Sequence, residues 1–308
     1  MSKLFDALAG DASTRRARLK ITIIAVYVTI ALIVCALAVF AVAHFMPPKD
    51  SGTESGTQQN GTAPQTVYTS KTVTAKELKT GNLILVNVNN GYSFSDNTAP
   101  VALTSTSYTF TPGLQANPAA LAAFDKMMTA LYSNVSDADI KVHTAYRSKE
   151  TQDAIGSSIK GGHSDFHTGL SFELREGESE ISAEGKYEWL YKNAHKYGFI
   201  VRYPNDTANK KFSDKTGIAD FANVFRYVGV AHATYIYANN LCLEEYLELI
   251  RSSHKSGSAL VISGADSKTY EVYYCASEGE QTTLQVPQSL SYEISGDNMS
   301  GYIVTVSK

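Results

Sequence analysis

The chain has 308 residues, 44% of them hydrophobic, and a formal charge of −3 from 27 Lys and Arg against 30 Asp and Glu. That apolar content suits one medium-sized globular unit with extensions. No dense Lys/Arg run exists beyond residues 1–20, which excludes a nucleic-acid partner, since such a partner needs a basic face to displace counterions.

From Ile21 to Phe45 there is no Lys, Arg, Asp or Glu. As a helix this stretch reaches ~37 Å, more than the roughly 30 Å hydrocarbon core of a bilayer. Residues 21–46 are therefore read as a transmembrane helix. Lys3, Arg15, Arg16, Arg18 and Lys20 precede it, and the next positive residue is Lys49. This places a cytoplasmic tail at 1–20 and the remainder outside the cell membrane, as a single-pass protein. A cleaved signal peptide is the alternative, because Ala36-Leu37-Ala38 and Ala41-Val42-Ala43 offer small-residue cleavage patterns. Residues 47–75, rich in Ser, Thr, Gly, Gln and Asn, read as a disordered linker reaching ~30 Å on average.

Folded sequence is expected from 76 to 251. Asn82 to Val88 reads as a strand ended by Asn90-Gly91, and Leu121, Phe124, Met127, Met128 and Leu131 recur at helical spacing. A second helix is predicted from Tyr187 to Tyr197, stopped by Gly198, and a third from Leu241 to Ile250. Residues 252–308 change to short β-type runs around Leu260, Val272, Val286 and Val304, read as a small all-β module for packing or docking. The fold class is α+β. Cys242 and Cys275 form no metal-ligand spacing; a disulfide between them is possible outside the cytoplasm, with lone thiols the simpler reading.

Five blocks carry a family resemblance, over roughly Lys76 to Arg251. His143-Thr144-Ala145-Tyr146-Arg147-Ser148 with Gln152 is similar to the segment SGYRS…Q. His163 to Leu174 resembles the SxHxxGxAxD block. Tyr197 to Pro204 is similar to YGFILRYP, Phe225 to Gly229 to the end of EPWHFRYVG, and Leu241 to Leu247 continues the match. The chain thus resembles the VanY-type D-alanyl-D-alanine carboxypeptidases. The resemblance implies a compact α+β peptidase-like domain whose antiparallel sheet cradles a metal, a fold shared with lysostaphin-type endopeptidases and Hedgehog signalling domains.

In that family two His and one Asp hold zinc, and a Glu deprotonates the attacking water. Here the first His position is Phe166, the Asp position Glu173, the second His position Val224 and the base position Phe221. Phenylalanine and valine have no lone pair, so neither zinc nor a catalytic residue is expected, and the domain is expected to be non-enzymatic, its pocket floor packed as core. His163 and His167, with Glu173, form a candidate relocated metal site; His143, His195 and His232 read as hydrogen-bonded structural residues.

The residues the family uses to hold substrate have counterparts in Arg147, Gln152 and Ser164. Arg147 either grips a peptide carboxylate or pairs with Glu173. Three functions stay open: a cell-envelope protein binding peptidoglycan stem peptide or a cell-wall enzyme, a scaffold presenting the β module to membrane or division partners, and an active carboxypeptidase with a rearranged metal site.

Overall fold

The computed structural model describes residues 66–308. The expected cytoplasmic tail, membrane helix and most of the linker lie outside the described residues. Among the described residues no helix is long and apolar enough to cross a membrane. The last part of the stretch read as linker is ordered: Tyr68–Thr74 is a strand paired antiparallel with Gln281–Pro287. Its alternating Thr and Ser side chains stay exposed while Val73 is buried, and this one apolar anchor is too sparse a signal to read as a strand from sequence.

The central sheet runs in the order Thr109–Phe110, Lys141–Thr144, Ser171–Glu176, Val224–Tyr227, Phe199–Val201. The first pair is parallel and the others antiparallel. The predicted first helix is Pro118–Asn134, capped by Asn117, whose side chain accepts from the Ala119 and Ala120 amides. Ala120, Phe124, Met127, Met128 and Leu131 form its buried stripe, with Phe124 stacked 4.2 Å from Phe172 on the sheet.

Strand alternation divides the sheet into two faces. Phe172 pairs with Phe225 and faces the helix; Ser171 pairs with Arg226, and Glu173 with Val224, on the other face. A register shift at His143 turns Thr144 to this second face, opposite Glu173, while Val142 stays with Leu174. The sheet thereby delivers Thr144, Glu173 and Val224 side by side.

Two expectations fail here for tertiary reasons. Asn82 to Val88 is not a strand. Leu83, Ile84, Leu85 and Val86 are buried, but their backbone bonds go elsewhere: Arg226 donates to the Asn82 and Ile84 carbonyls, and the Leu85 amide donates to the Asp297 carbonyl. The second helix is broken into Gly185–Tyr187, Glu188–Asn193 and Ala194–Tyr197, although it does end on Gly198 in left-handed conformation. Leu243–Ser253 forms as expected.

The C-terminal strands order as Leu260–Ser263, Thr269–Ala276, Gly301–Ser307, Tyr292–Gly296, the last unread in the sequence. They share one core with the preceding helices: Ile262, Val272 and Ile303 pack with Leu243, Tyr246, Leu247 and Ile250. Cys242 and Cys275 are free thiols. On the sheet's rim, Gly296 sits so close to the 77–79 turn that a Cβ would lie 1.9 Å from the Leu78 carbonyl oxygen. Gly296→Ala is expected to cost about 1–3 kcal/mol through forced backbone displacement, checked by urea denaturation; no loss would mean the turn moves freely.

Candidate functional site

The second face of the sheet carries the site. Asp165–Thr168 is a tight 3-10 turn that closes on Gly169 at φ 65. The turn separates its side chains. Phe166 is buried with Tyr203 and Val224, with Phe221 and Ile218 packed against them, and Tyr203 and Phe221 stack 5.9 Å apart. Asp165 and His167 are buried in other environments.

His167 is saturated. Its Nδ1 bonds the Arg147 carbonyl at 2.6 Å and its Nε2 accepts from the Gly162 amide at 2.9 Å, which fixes the neutral tautomer with hydrogen on Nδ1. Burial lowers its pKa and keeps it uncharged. His163 bonds the Asn87 carbonyl at 3.1 Å. Of the histidines read as structural, His232 is held by Tyr246 and Thr305, whereas the buried Nδ1 atoms of His143 and His195 have no partner among the described residues.

Asp165, which the sequence reading passed over, is the hub of a buried ion network. It accepts from Ser171, from Arg202 Nε at 3.2 Å and from Arg226 Nη1 at 2.5 Å. Arg202 in turn makes a two-pronged bond to Glu244, at 2.8 and 3.0 Å. Two guanidinium groups and two carboxylates balance with no accessible surface on either arginine side chain. This network fixes the 3-10 turn against the sheet and the Leu243–Ser253 helix.

Arg147 lies above Phe166, its guanidinium carbon 4.8 Å from the ring centre. Its Nη1 donates to Gln152 Oε1 at 2.8 Å and its Nη2 reaches Thr144 Oγ1 at 3.4 Å. Glu173 is not its ion-pair partner: that carboxylate is bound by Arg175 at 2.7 Å. Among the described residues Arg147 has no carboxylate within 4.0 Å. Burial lowers its pKa, opposed by the Glu173 charge and by Tyr203. A half-buried cation whose hydrogen-bond partners are neutral is suited to an incoming anion.

Gln152 is buried, and its amide nitrogen is spent on Ser157 and on the Ile159 carbonyl, at 2.8 Å each. Its Oε1 thereby aligns Arg147 while both amide hydrogens are engaged. Ser164 is buried at the start of the turn and its side chain caps no backbone group. Arg147, Gln152, Phe166, Phe221, Glu173 and Val224 thus lie together on this face of the sheet.

Residues 113–229 match the family VanY, described as D-alanyl-D-alanine carboxypeptidase. The putative carboxypeptidase YodJ of Bacillus subtilis is 30% identical over 194 residues, spanning 54% of this chain and 68% of YodJ. The chain belongs to the VanY family. A D-alanyl-D-alanine carboxypeptidase of Enterococcus faecium is 32% identical over 171 residues, spanning 54% of this chain and 53% of the relative, so the match takes in about half of the enterococcal protein. The fold is shared with the solved structure of the vancomycin resistance D,D-dipeptidase VanXYg in complex with a D-Ala-D-Ala phosphinate analog. That likeness has a TM-score of 0.68 at 24% identity, over 79% of this chain and 100% of the other.

These VanY-family relatives correct the non-enzymatic expectation, because they are named as carboxypeptidases. The zinc that the resemblance implies does not fit the residues at its position. Phe166 and Val224 are packed against one another without a lone pair, and Glu173 is engaged by Arg175. Among the described residues no group of three His, Cys, Asp or Glu is placed to hold a metal ion, and His167 has both nitrogens occupied.

Proposed function

We propose that this VanY-family domain takes the D-alanyl-D-alanine end of peptidoglycan stem peptide, placing the terminal carboxylate on Arg147. The observation that carries the reading is the half-buried Arg147 guanidinium, aligned by Gln152 and without a carboxylate partner among the described residues. Phe166 and Phe221 give an apolar floor suited to the alanine methyl groups. The membrane-anchored, extracytoplasmic placement read from residues 1–46 puts such a site beside its polymer.

Hydrolysis of that end is favoured by the names of the relatives. It requires donors other than Phe166, Glu173 and Val224, so no metal-borne step is assigned to these side chains.

The test is titration of the full chain with a D-Ala-terminated muropeptide and with the same peptide carrying a C-terminal amide, followed by mass spectrometry for released D-alanine with zinc and with chelator. Binding of the free acid but not of the amide is expected. Equal binding of both, or none, would overturn the reading. Chelator-sensitive release of D-alanine would establish the hydrolytic form and direct a search for its donors.

A further inference from the structure

Away from Arg147 the molecule carries an elongated polar trough. It consists of three adjoining cavities of about 510, 340 and 380 Å³. The first and second share Gly81, Asn82 and Ala119 as wall residues. The second and third share Tyr227, His232, Glu293 and Thr305. Each segment alone has the volume of a small-ligand site, and their succession fits an oligomer better than a single compact molecule.

The lining chemistry narrows the occupant. Lys76 and Lys268 are set against Glu77, Asp96 and Glu293, so the walls carry both signs and suit no polyanion. Between the charges stand amides, hydroxyls and three tyrosine rings, Tyr227, Tyr270 and Tyr292, each half-buried with an apolar body and a polar tip. Tyr270 donates its hydroxyl to Asp266, which holds the ring in place. Glu293 is exposed and forms no ion pair with a described residue, leaving its carboxylate to accept hydrogen bonds.

The trough follows the Tyr292–Gly296 strand, the outer strand of the C-terminal sheet, and takes in side chains from it and from Gly301–Ser307. Glu293 is paired with Thr305, and Tyr270 with Ser307, so these side chains project from the same side of the C-terminal sheet. An extended peptide would draw on backbone groups along that outer strand, whereas a chain of hydroxyls and acetamides is served by side-chain acceptors such as Glu293 and by tyrosine ring faces, and competition by a sugar-free peptide tells the two apart.

We infer that this trough binds a neutral amino-sugar strand, a polymer of N-acetylhexosamines. The choice of glycan rests on the proposed reading, since stem peptides are borne on such strands. One end of the trough includes Thr168, in the same 3-10 turn that carries Ser164 at its start and Phe166 within it, so peptide site and glycan site are joined through one short rigid turn.

The probes are a tetramer of N-acetylglucosamine, which has no peptide, and a D-Ala-terminated pentapeptide, which has no sugar, each titrated calorimetrically against the full chain in detergent. The tetramer is expected to bind, and Glu293→Ala to weaken it about tenfold by removing a charged acceptor, while pentapeptide affinity stays unchanged. Tyr270→Ala supplies a second variant, expected to weaken the tetramer alone. No tetramer binding, or binding indifferent to both substitutions, overturns the glycan assignment; so does competition at Glu293 by a sugar-free peptide. Should the pentapeptide fail to bind while the tetramer binds through Glu293, the stem-peptide reading falls and the trough stands alone.

Discussion

Asp165→Ala is expected to lower the stability of the folded domain by about 3–5 kcal/mol, read as a reduced urea midpoint with an unchanged slope. The substitution removes a carboxylate from two positive groups that have no contact with solvent. Arg202 would retain Glu244, but Arg226 would keep only carbonyl acceptors, among them those of Asn82 and Ile84. An unpaired charge in such a place costs far more than a lost surface pair. A midpoint within error of the parent protein would show that Arg226 reaches water.

The same carboxylate sets an acid limit. Burial pushes the Asp165 carboxyl up, but Arg226, Arg202 and the Ser171 hydroxyl outweigh it and hold its pKa below the ordinary carboxylate range. Because the folded value is depressed, the stabilisation is fully present above the unfolded value near ~4 and is lost as pH falls through the folded one. The parent protein should therefore lose stability on acidification more steeply than Asp165→Asn, measured by urea midpoints across that range. Parallel curves would refute the linkage.

Arg147→Ala is expected to weaken binding of a D-Ala-terminated peptide by about 30- to 1000-fold, corresponding to ~2–4 kcal/mol for a charge-assisted contact in a partly desolvated place. Arg147→Lys should recover only part of this, because an ammonium keeps the charge but not the planar fork that matches a carboxylate. Gln152→Ala should fall between them, since it leaves the guanidinium present but loosens the bond at 2.8 Å that aligns it. The folded state should be affected little by Arg147→Ala, which has no buried ion pair to break. If Lys and Ala variants bind equally to parent, the cation does not meet the carboxylate.

Much of the site was legible because its residues are punctuated by short, ordered motifs. Arg147, Gln152 and Ser164 were placed by the same blocks that placed Phe166, Glu173 and Val224, and the sheet does set Glu173 beside Val224. Asp165 was not read as functional or structural, since a single acidic residue between Ser164 and Phe166 carries no periodic signal. Its partners Arg202, Arg226 and Glu244 are distant in sequence and meet it only through folding. The assignment of Gln152 to substrate was similarly limited: whether an amide faces a cleft or is used up by Ser157 and Ile159 depends on a local turn.

The sequence by itself determined the α+β class, the Pro118–Asn134 helix with its apolar stripe, the family, and the loss of lone pairs at Phe166 and Val224, because periodicity and residue chemistry are local properties. The tertiary structure decided where the 82–88 segment sends its backbone bonds, that Glu173 serves Arg175 and leaves Arg147 without a carboxylate partner among the described residues, and that the C-terminal strands share a core with the Leu243–Ser253 helix. Those outcomes hang on which of several chemically equivalent partners comes within bonding distance, and distance between remote residues is set by the packed chain as a whole.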